Sequence, residues 1–188
     1  TYAPSKVSAF LSETATKVSY YVLLRVCFGM FGAGFVFTKL KLDVLLLVFG
    51  VSAMFVGSIA AIYQSNIKRL LAYSSVAQVG YMVLGLALLN QSGLTGGVIH
   101  LFNHALMKCA LFLVVGCIAL RLGSEKIEDF GGLMKKMPFT MWAFIVGGLS
   151  LIGVPGTVGF VSKWYLVLGT LRAEQYFVAV LTLLSSLL

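Results

Sequence analysis

Two histidines and a lysine, His100, His104 and Lys108, recur every four residues inside an otherwise apolar stretch. On a helix that spacing brings all three to one face. Imidazole takes up and releases protons near neutral pH, so such a row has the make-up of a proton relay. A histidine pair bonded to a neighbouring helix would use the same residues, and that alternative stays open. Zinc is set aside, because no Glu follows His100 and no third ligand is evident.

Glu13, Lys17, Tyr21 and Arg25 form a second row at the same spacing. Glu13 stands four residues before Lys17, the favourable order for a helical ion pair. Lys17 reads as a proton-carrying lysine held by that carboxylate. Arg25, near the outer end of its block, fits a long side chain reaching back to the interface. A third site is Lys163, four residues beyond Gly159 and just after Gly153-Val154-Pro155-Gly156-Thr157. Pro155 cannot donate to a helix ladder and the glycines loosen it, so a kink or unwound segment is expected there. Broken spanning helices place half-helix ends beside midplane ion sites. A half-helix C-terminus attracts an ammonium and an N-terminus repels it. An ordinary proline kink with a snorkelling lysine is the alternative. Lys68 and Arg69 read as an interfacial anchor just before a helix that Ser65 or Asn66 can cap.

These charges are informative because of where they sit. An ionised side chain near a bilayer centre costs at least about 2.5–3.5 kcal/mol, so it faces the interior with a partner and a task. The 188 residues are 60% hydrophobic, and adding the 20 glycines brings the apolar share to about 71%. Soluble domains run at roughly 45–50% by that count. A soluble enzyme, a disordered chain and an ordinary nucleic-acid binder are excluded. The net charge of +8 then reports loop Lys and Arg rather than a nucleic-acid surface. No phosphate loop, no nucleophile with its base and no haem or iron–sulfur ligand set is present. The chemistry in view is movement of protons or cations, not of bonds.

The elements that must carry these rows are spanning helices. Apolar blocks occupy residues 7–28, 44–63, 70–89, 94–120 and 139–168, and a sixth starts at 176. Lipid satisfies no backbone polar group, so blocks of 20 residues or more are helices. The expected fold is all-α, a polytopic transmembrane bundle of about six spanning segments. The fifth segment is interrupted by Gly153, Pro155, Gly156 and Gly159. Thr1 is not an initiator Met, and the last apolar run, residues 176–188, falls short of a span. A piece of a longer protein is the expectation. Cys27, Cys109 and Cys117 lie in apolar stretches without metal-type spacing and read as packing residues. Trp142 and Trp164 read as lipid-facing or packing groups.

Alternate loops give the orientation. Lys6, Lys68, Arg69, Arg121, Lys126, Lys135 and Lys136 fall on one side, against Lys39, Lys41 and Arg172 on the other. The first side, with the mixed-charge loop 121–138, is expected to be cytoplasmic.

The stretches APSKVSAFLSETATKVSYYVLLR, SNIKRLLAYSSVAQVGYMVLG, HLFNHALMKCALFLVVG and GVPGTVGFVSKWYLV, in this order, resemble the antiporter-like membrane subunits of respiratory complex I and of multi-subunit Na+/H+ antiporters. The resemblance covers nearly the whole chain. It implies a larger subunit of two inverted repeats, each with one broken helix. Residues 1–188 would be the end of the first repeat and most of the second, within one translocation domain. Lys17 and Lys163 match the family's connecting and broken-helix lysines, and His104 and Lys108 its polar centre. The implied function is proton translocation, coupled to Na+ or K+ in the antiporters, without flavin or iron–sulfur cluster in the subunit itself. Implied partners are other membrane subunits of a hetero-oligomeric complex in a bacterial inner membrane, and no nucleic acid. Glu13 departs from the pattern, where a small residue is expected, and so bears on how freely Lys17 exchanges its proton. Lys163 and the phrase GFVSKWYLV look more like the D-type antiporter subunit than a complex I subunit.

Overall fold

The computed structural model describes residues 5–188, with side chains described at Val7 and from Thr14 onward. Every long element is helical. Helix α1, Ser5–Leu24, runs on into a π-helical turn, Arg25–Met30, and a second π turn covers Gly34–Lys39. Then follow α2 (Leu42–Ile62), α3 (Ile67–Ala87), α4 (Gln91–Leu122), a 3₁₀ turn (Ile127–Phe130) and α5 (Leu133–Lys136). The last helices are α6 (Pro138–Ile152), α7 (Val158–Arg172) and α8 (Tyr176–Leu187).

The all-helical reading is correct, with one difference of detail. Residues 29–43 read in sequence as a break between blocks, yet they hold helical turns up to Lys39. That segment, GMFGAGFVFTKLKLD, is apolar enough to stay helical, and Gly32 at φ 76° separates its two turns. At the expected interruption the fifth block divides into two helices of 15 residues each, so the segment is unwound and not merely kinked. At 1.5 Å per residue each is about 22 Å long, short of a hydrocarbon core of about 30 Å. Among the described residues α2, α3 and α4 are long and apolar enough to cross a membrane singly.

Local chemistry sets the helix ends. Asn66 caps α3, its Oδ1 accepting from the amides of Lys68 and Arg69. Asn90 caps α4 through the amide of Gly93 at 2.8 Å, and Gly123, at φ 69°, closes that helix left-handed. Pro138 opens α6 at a position where its missing N–H costs nothing.

The bundle is apolar outside, and its apolar core encloses a set of buried polar side chains. Helix α3 lies at its centre, close against α2 because glycines leave room: a Cβ at Gly57 would fall 2.6 Å from the Ala77 nitrogen. On the far side α4 meets α3 and α7, where a Cβ on Gly169 would fall 2.7 Å from the Gly93 nitrogen. Val48, Phe49 and Val56 of α2 and Phe102 and Leu106 of α4 point outward, as lipid-facing side chains do. Trp142 and Trp164 are exposed likewise, and Cys27 is buried while Cys117 is exposed.

The two ends of the bundle are tied differently. At one end the amide of Ile67 donates to Glu125 O and that of Ile127 to Ser65 O, both at 3.0 Å. Lys68 pairs with Glu125, which also accepts from Asn66 Nδ2 at 3.2 Å. Lys68 is therefore an enclosed tether at this end of the bundle, while Arg69 beside it is exposed. Partial burial pushes the Glu125 carboxyl up, but hydrogen bonds from Lys68 and Asn66 and the lysine's charge prevail and hold it below its ordinary range. At the other end Asn90 Nδ2 donates to Gly169 O at 2.8 Å and Arg172 Nη1 to Ser92 Oγ at 2.5 Å. The basic groups Lys68 and Lys126 thus share one end and Arg172 lies at the other.

Candidate functional site

Helix α4 delivers His100, His104 and Lys108 to its inner face, and all three are fully enclosed. The imidazole rings stack with centroids 6.1 Å apart and planes 6° from parallel. His100 joins three helices. Its Nε2 lies 2.8 Å from Gln78 Oε1 of α3, and its Nδ1 lies 2.8 Å from Ser162 Oγ of α7. Lys108 reaches α3 instead, donating to Leu71 O at 2.5 Å and to Ser74 Oγ. Between them, neither ring nitrogen of His104 has a hydrogen-bond partner among the described residues. A buried polar group in that condition costs about 1–3 kcal/mol unless water serves it.

The interrupted segment has a specific geometry. Gly153, at φ 91°, ends α6 left-handed. Val154-Pro155-Gly156-Thr157 then makes a turn closed by the Thr157 amide on Val154 O at 3.1 Å. Proline followed by a glycine at φ 91° is the sequence that a type II turn requires. Helix α7 starts at Val158 and crosses the end of α6 with no room for a side chain: a Cβ on Gly159 would fall 1.8 Å from Ser150 O. The Gly159 amide donates to Ser150 Oγ at 3.4 Å across this crossing.

Lys163 sits one turn into α7 and turns back onto α6. Its Nζ donates to Leu151 O at 3.1 Å and to Ile152 O at 2.7 Å. These are terminal carbonyls that α6 leaves unpaired, and their partial negative charge favours an ammonium. The same Nζ lies 4.9 Å from the centroid of the Tyr81 ring, which itself tilts against His100 at 5.7 Å. Of the two alternatives for the break, the half-helix C-terminus is the one that faces the lysine.

Lys17 on α1 is half-buried, and its charge acts on both His100 and His104. Tyr21 and Arg25, later in its row, are turned outward. Tyr21 is 56% exposed and Arg25 is also exposed, whereas Tyr20 is 3% exposed and donates its hydroxyl to Met82 O at 2.9 Å. The inward tyrosine is Tyr20, whereas Tyr21, one turn from Lys17, faces outward. The side chain of Glu13, and with it the expected ion pair to Lys17, lies outside the described residues.

A cavity of about 190 Å³ opens among α2, α3, α6, α7 and α8. Its wall includes Ser58, Ser74, Gln78, Lys163 and Ser185. It brings the partners of Lys108 and His100 to the same space as Lys163. None of these partners stood out among the ionisable groups of the sequence. The available signal was polarity: Gln78 is an amide in the middle of the apolar run VAQVGYMVLG. Among the described residues no group of three His, Cys, Asp or Glu could hold a metal ion.

Comparison with known proteins adds the family context. The family described as NADH:quinone oxidoreductase/Mrp antiporter, transmembrane, matches residues 1–188. The chain is 48% identical over 188 residues to the N-type subunit of the NADH-quinone oxidoreductase of Desulforudis audaxviator, covering 100% of the chain and 37% of that relative. It is 34% identical over 187 residues to the D-type subunit of the Na(+)/H(+) antiporter of Alkalihalophilus pseudofirmus, covering 98% of the chain and 37% of the relative. In three dimensions it resembles a chain of the Mrp complex from Dietzia sp., with a TM-score of 0.88 and 32% identity over 95% of this chain and 33% of that one. The chain thus spans little more than a third of the length of the relatives it matches.

Proposed function

The chain belongs to the NADH:quinone oxidoreductase/Mrp antiporter transmembrane family, and on that premise we propose that it carries protons across the membrane within a larger subunit. The carrying observation is an enclosed polar line through an apolar bundle. It comprises His100, His104 and Lys108 on α4, all fully buried, with half-buried Lys17 on α1 and with Lys163, which rests on the last carbonyls of α6. Each member can hold or pass a proton, and groups of α3 and α7 bond two of them, Gln78 and Ser162 to His100 and Ser74 to Lys108. Lysine held by a broken-helix end is a device for holding charge where the helix ends supply the solvation that lipid cannot.

Residues 1–188 belong to one translocation domain, the end of a first repeat plus most of a second. The subunit works among other membrane subunits, with loop 121–138 toward the cytoplasm of a bacterial cell. No cofactor is assigned to this chain. Two settings are in view. The 48% identity to an N-type oxidoreductase subunit supports proton pumping in a quinone-reducing assembly. The TM-score of 0.88 to the Mrp complex supports cation/proton antiport, the reading GFVSKWYLV suggested.

The test uses the full-length protein in its assembled complex. Lys163→Ala at matched assembly should abolish proton movement. Exchange that depends on Na+ or K+ identifies the antiporter, and pumping that depends on NADH identifies the oxidoreductase setting. If the variant matches wild type in both assays, the charges only pair helices and the proposal fails.

A further inference from the structure

His100 is gripped on both ring nitrogens, and one of its partners has a single proton to give. Ser162 Oγ lies 2.8 Å from His100 Nδ1 and also donates to Gly159 O at 3.0 Å. Gln78 presents its Oε1 to Nε2 at 2.8 Å, so that nitrogen carries a hydrogen. All three hydrogen bonds coexist when His100 holds two protons: Nδ1–H donates to Ser162, and Ser162 donates to Gly159. With one proton, on Nε2, the Nδ1 lone pair takes the serine proton and the Gly159 carbonyl loses it. With one proton on Nδ1, the serine can stay on Gly159, but Gln78 must turn its amide NH₂ toward Nε2. No single proton can be added or removed at His100 without remaking one of these bonds.

We propose that Gln78 and Ser162 are positioning residues that couple the proton state of His100 to the α6–α7 break. This rests on the translocation reading above and deepens it. When a proton passes to neutral His100 from an ammonium of the line, that ammonium is left an amine. Ser162 keeps its own proton and swings it from Nδ1 to Gly159 O. The carbonyl so engaged belongs to the residue packed hardest against α6, where a Cβ would stand 1.8 Å from Ser150 O. Four residues along α7 is Lys163, whose Nζ rests on the end of α6. The loaded histidine therefore pins the first turn of α7 beside that contact, and the unloaded ε-tautomer releases it. The groups facing His100 are Tyr81 and Gln78 from α3, His104 from its own helix, Ser162 and Lys163 from α7, and Lys17 by its charge from α1.

The experiment combines transport with nitrogen-15 NMR of histidine-labelled full-length protein in its complex, the His100 signals being assigned by their loss in His100→Gln. In Ser162→Ala the acceptor for Nδ1–H is gone, so the doubly protonated His100 signal should give way to the neutral Nε2–H form and transport should fall about tenfold, the worth of one hydrogen bond in a rate-limiting step. Ser162→Thr keeps the hydroxyl and should restore both. Gln78→Leu should shift the tautomer balance the opposite way, toward Nδ1–H. Unchanged tautomer signals in Ser162→Ala and Gln78→Leu overturn the coupling, whether or not transport falls, because a packing role would lower transport without moving them. If Lys163→Ala and His100→Gln both transport normally, the translocation reading fails instead.

Discussion

Lys163 closes the end of a helix it does not belong to, its Nζ donating to Ile152 O at 2.7 Å across the break between α6 and α7. The contact makes one lysine both a cap for α6 and the last charge of the polar line. Lys163→Ala should therefore lower stability as well as transport. A cation at a helix C-terminus is worth about 0.3–1 kcal/mol when exposed and up to about 2 kcal/mol when partly buried. A thermal melt of the assembled complex should show this small loss beside a complete loss of proton movement. Lys163→Arg, still cationic, should recover the melt more than the transport, because guanidinium does not give up its proton.

Gly159 and Gly148 make a matched pair of probes on the broken segment. Alanine at 159 would place its Cβ 1.8 Å from Ser150 O, backbone against backbone, so the two half-helices must part. The penalty should exceed the about 1–3 kcal/mol typical of overpacking. A Cβ at Gly148 meets nothing within 4 Å. Gly148→Ala should leave the complex as stable or raise it by about 1 kcal/mol through helix propensity. Equal melting temperatures for the two variants would contradict the tight crossing.

Tyr20 and Tyr21 should separate cleanly. Tyr20→Phe removes a buried hydroxyl and leaves Met82 O without that donor, at a cost of about 1 kcal/mol. Tyr21→Phe, on the outer side, should be neutral within about 0.5 kcal/mol. Denaturation of the two variants in the same detergent compares them directly.

The tether at the far end of the bundle should respond to acid. The Glu125 carboxyl is held below its ordinary range in the folded protein, its hydrogen bonds from Lys68 and Asn66 outweighing the partial burial that works against them. Its unfolded value is about 4.3. A depressed folded value means that its contribution is complete above that pH and is lost as pH falls through the folded value. Amide exchange at Ile67 and Ile127, which bridge the same segments, taken relative to the intrinsic rate at each pH, should stay slow at neutral pH and quicken only in stronger acid. Glu125→Gln should quicken it at neutral pH. Insensitivity to both would show that the backbone bridge holds the loop unaided.

Much of this architecture is written in the chain itself. Lipid forbids unpaired backbone, so apolar blocks of spanning length had to be helices. The i, i+4 spacing put His100, His104 and Lys108 on one face, and Pro155 among glycines marked where the fifth segment divides. Asn66 signalled its own helix start. These are local properties, decided within a few turns of chain. The tertiary structure decided the rest, because partnership depends on which faces meet. Only helix packing chose Tyr20 over Tyr21, turned Lys68 inward to Glu125, laid Lys163 on the carbonyls of α6 rather than against an N-terminus, and seated His100 between an amide and a hydroxyl that lie 22 and 62 residues away in sequence.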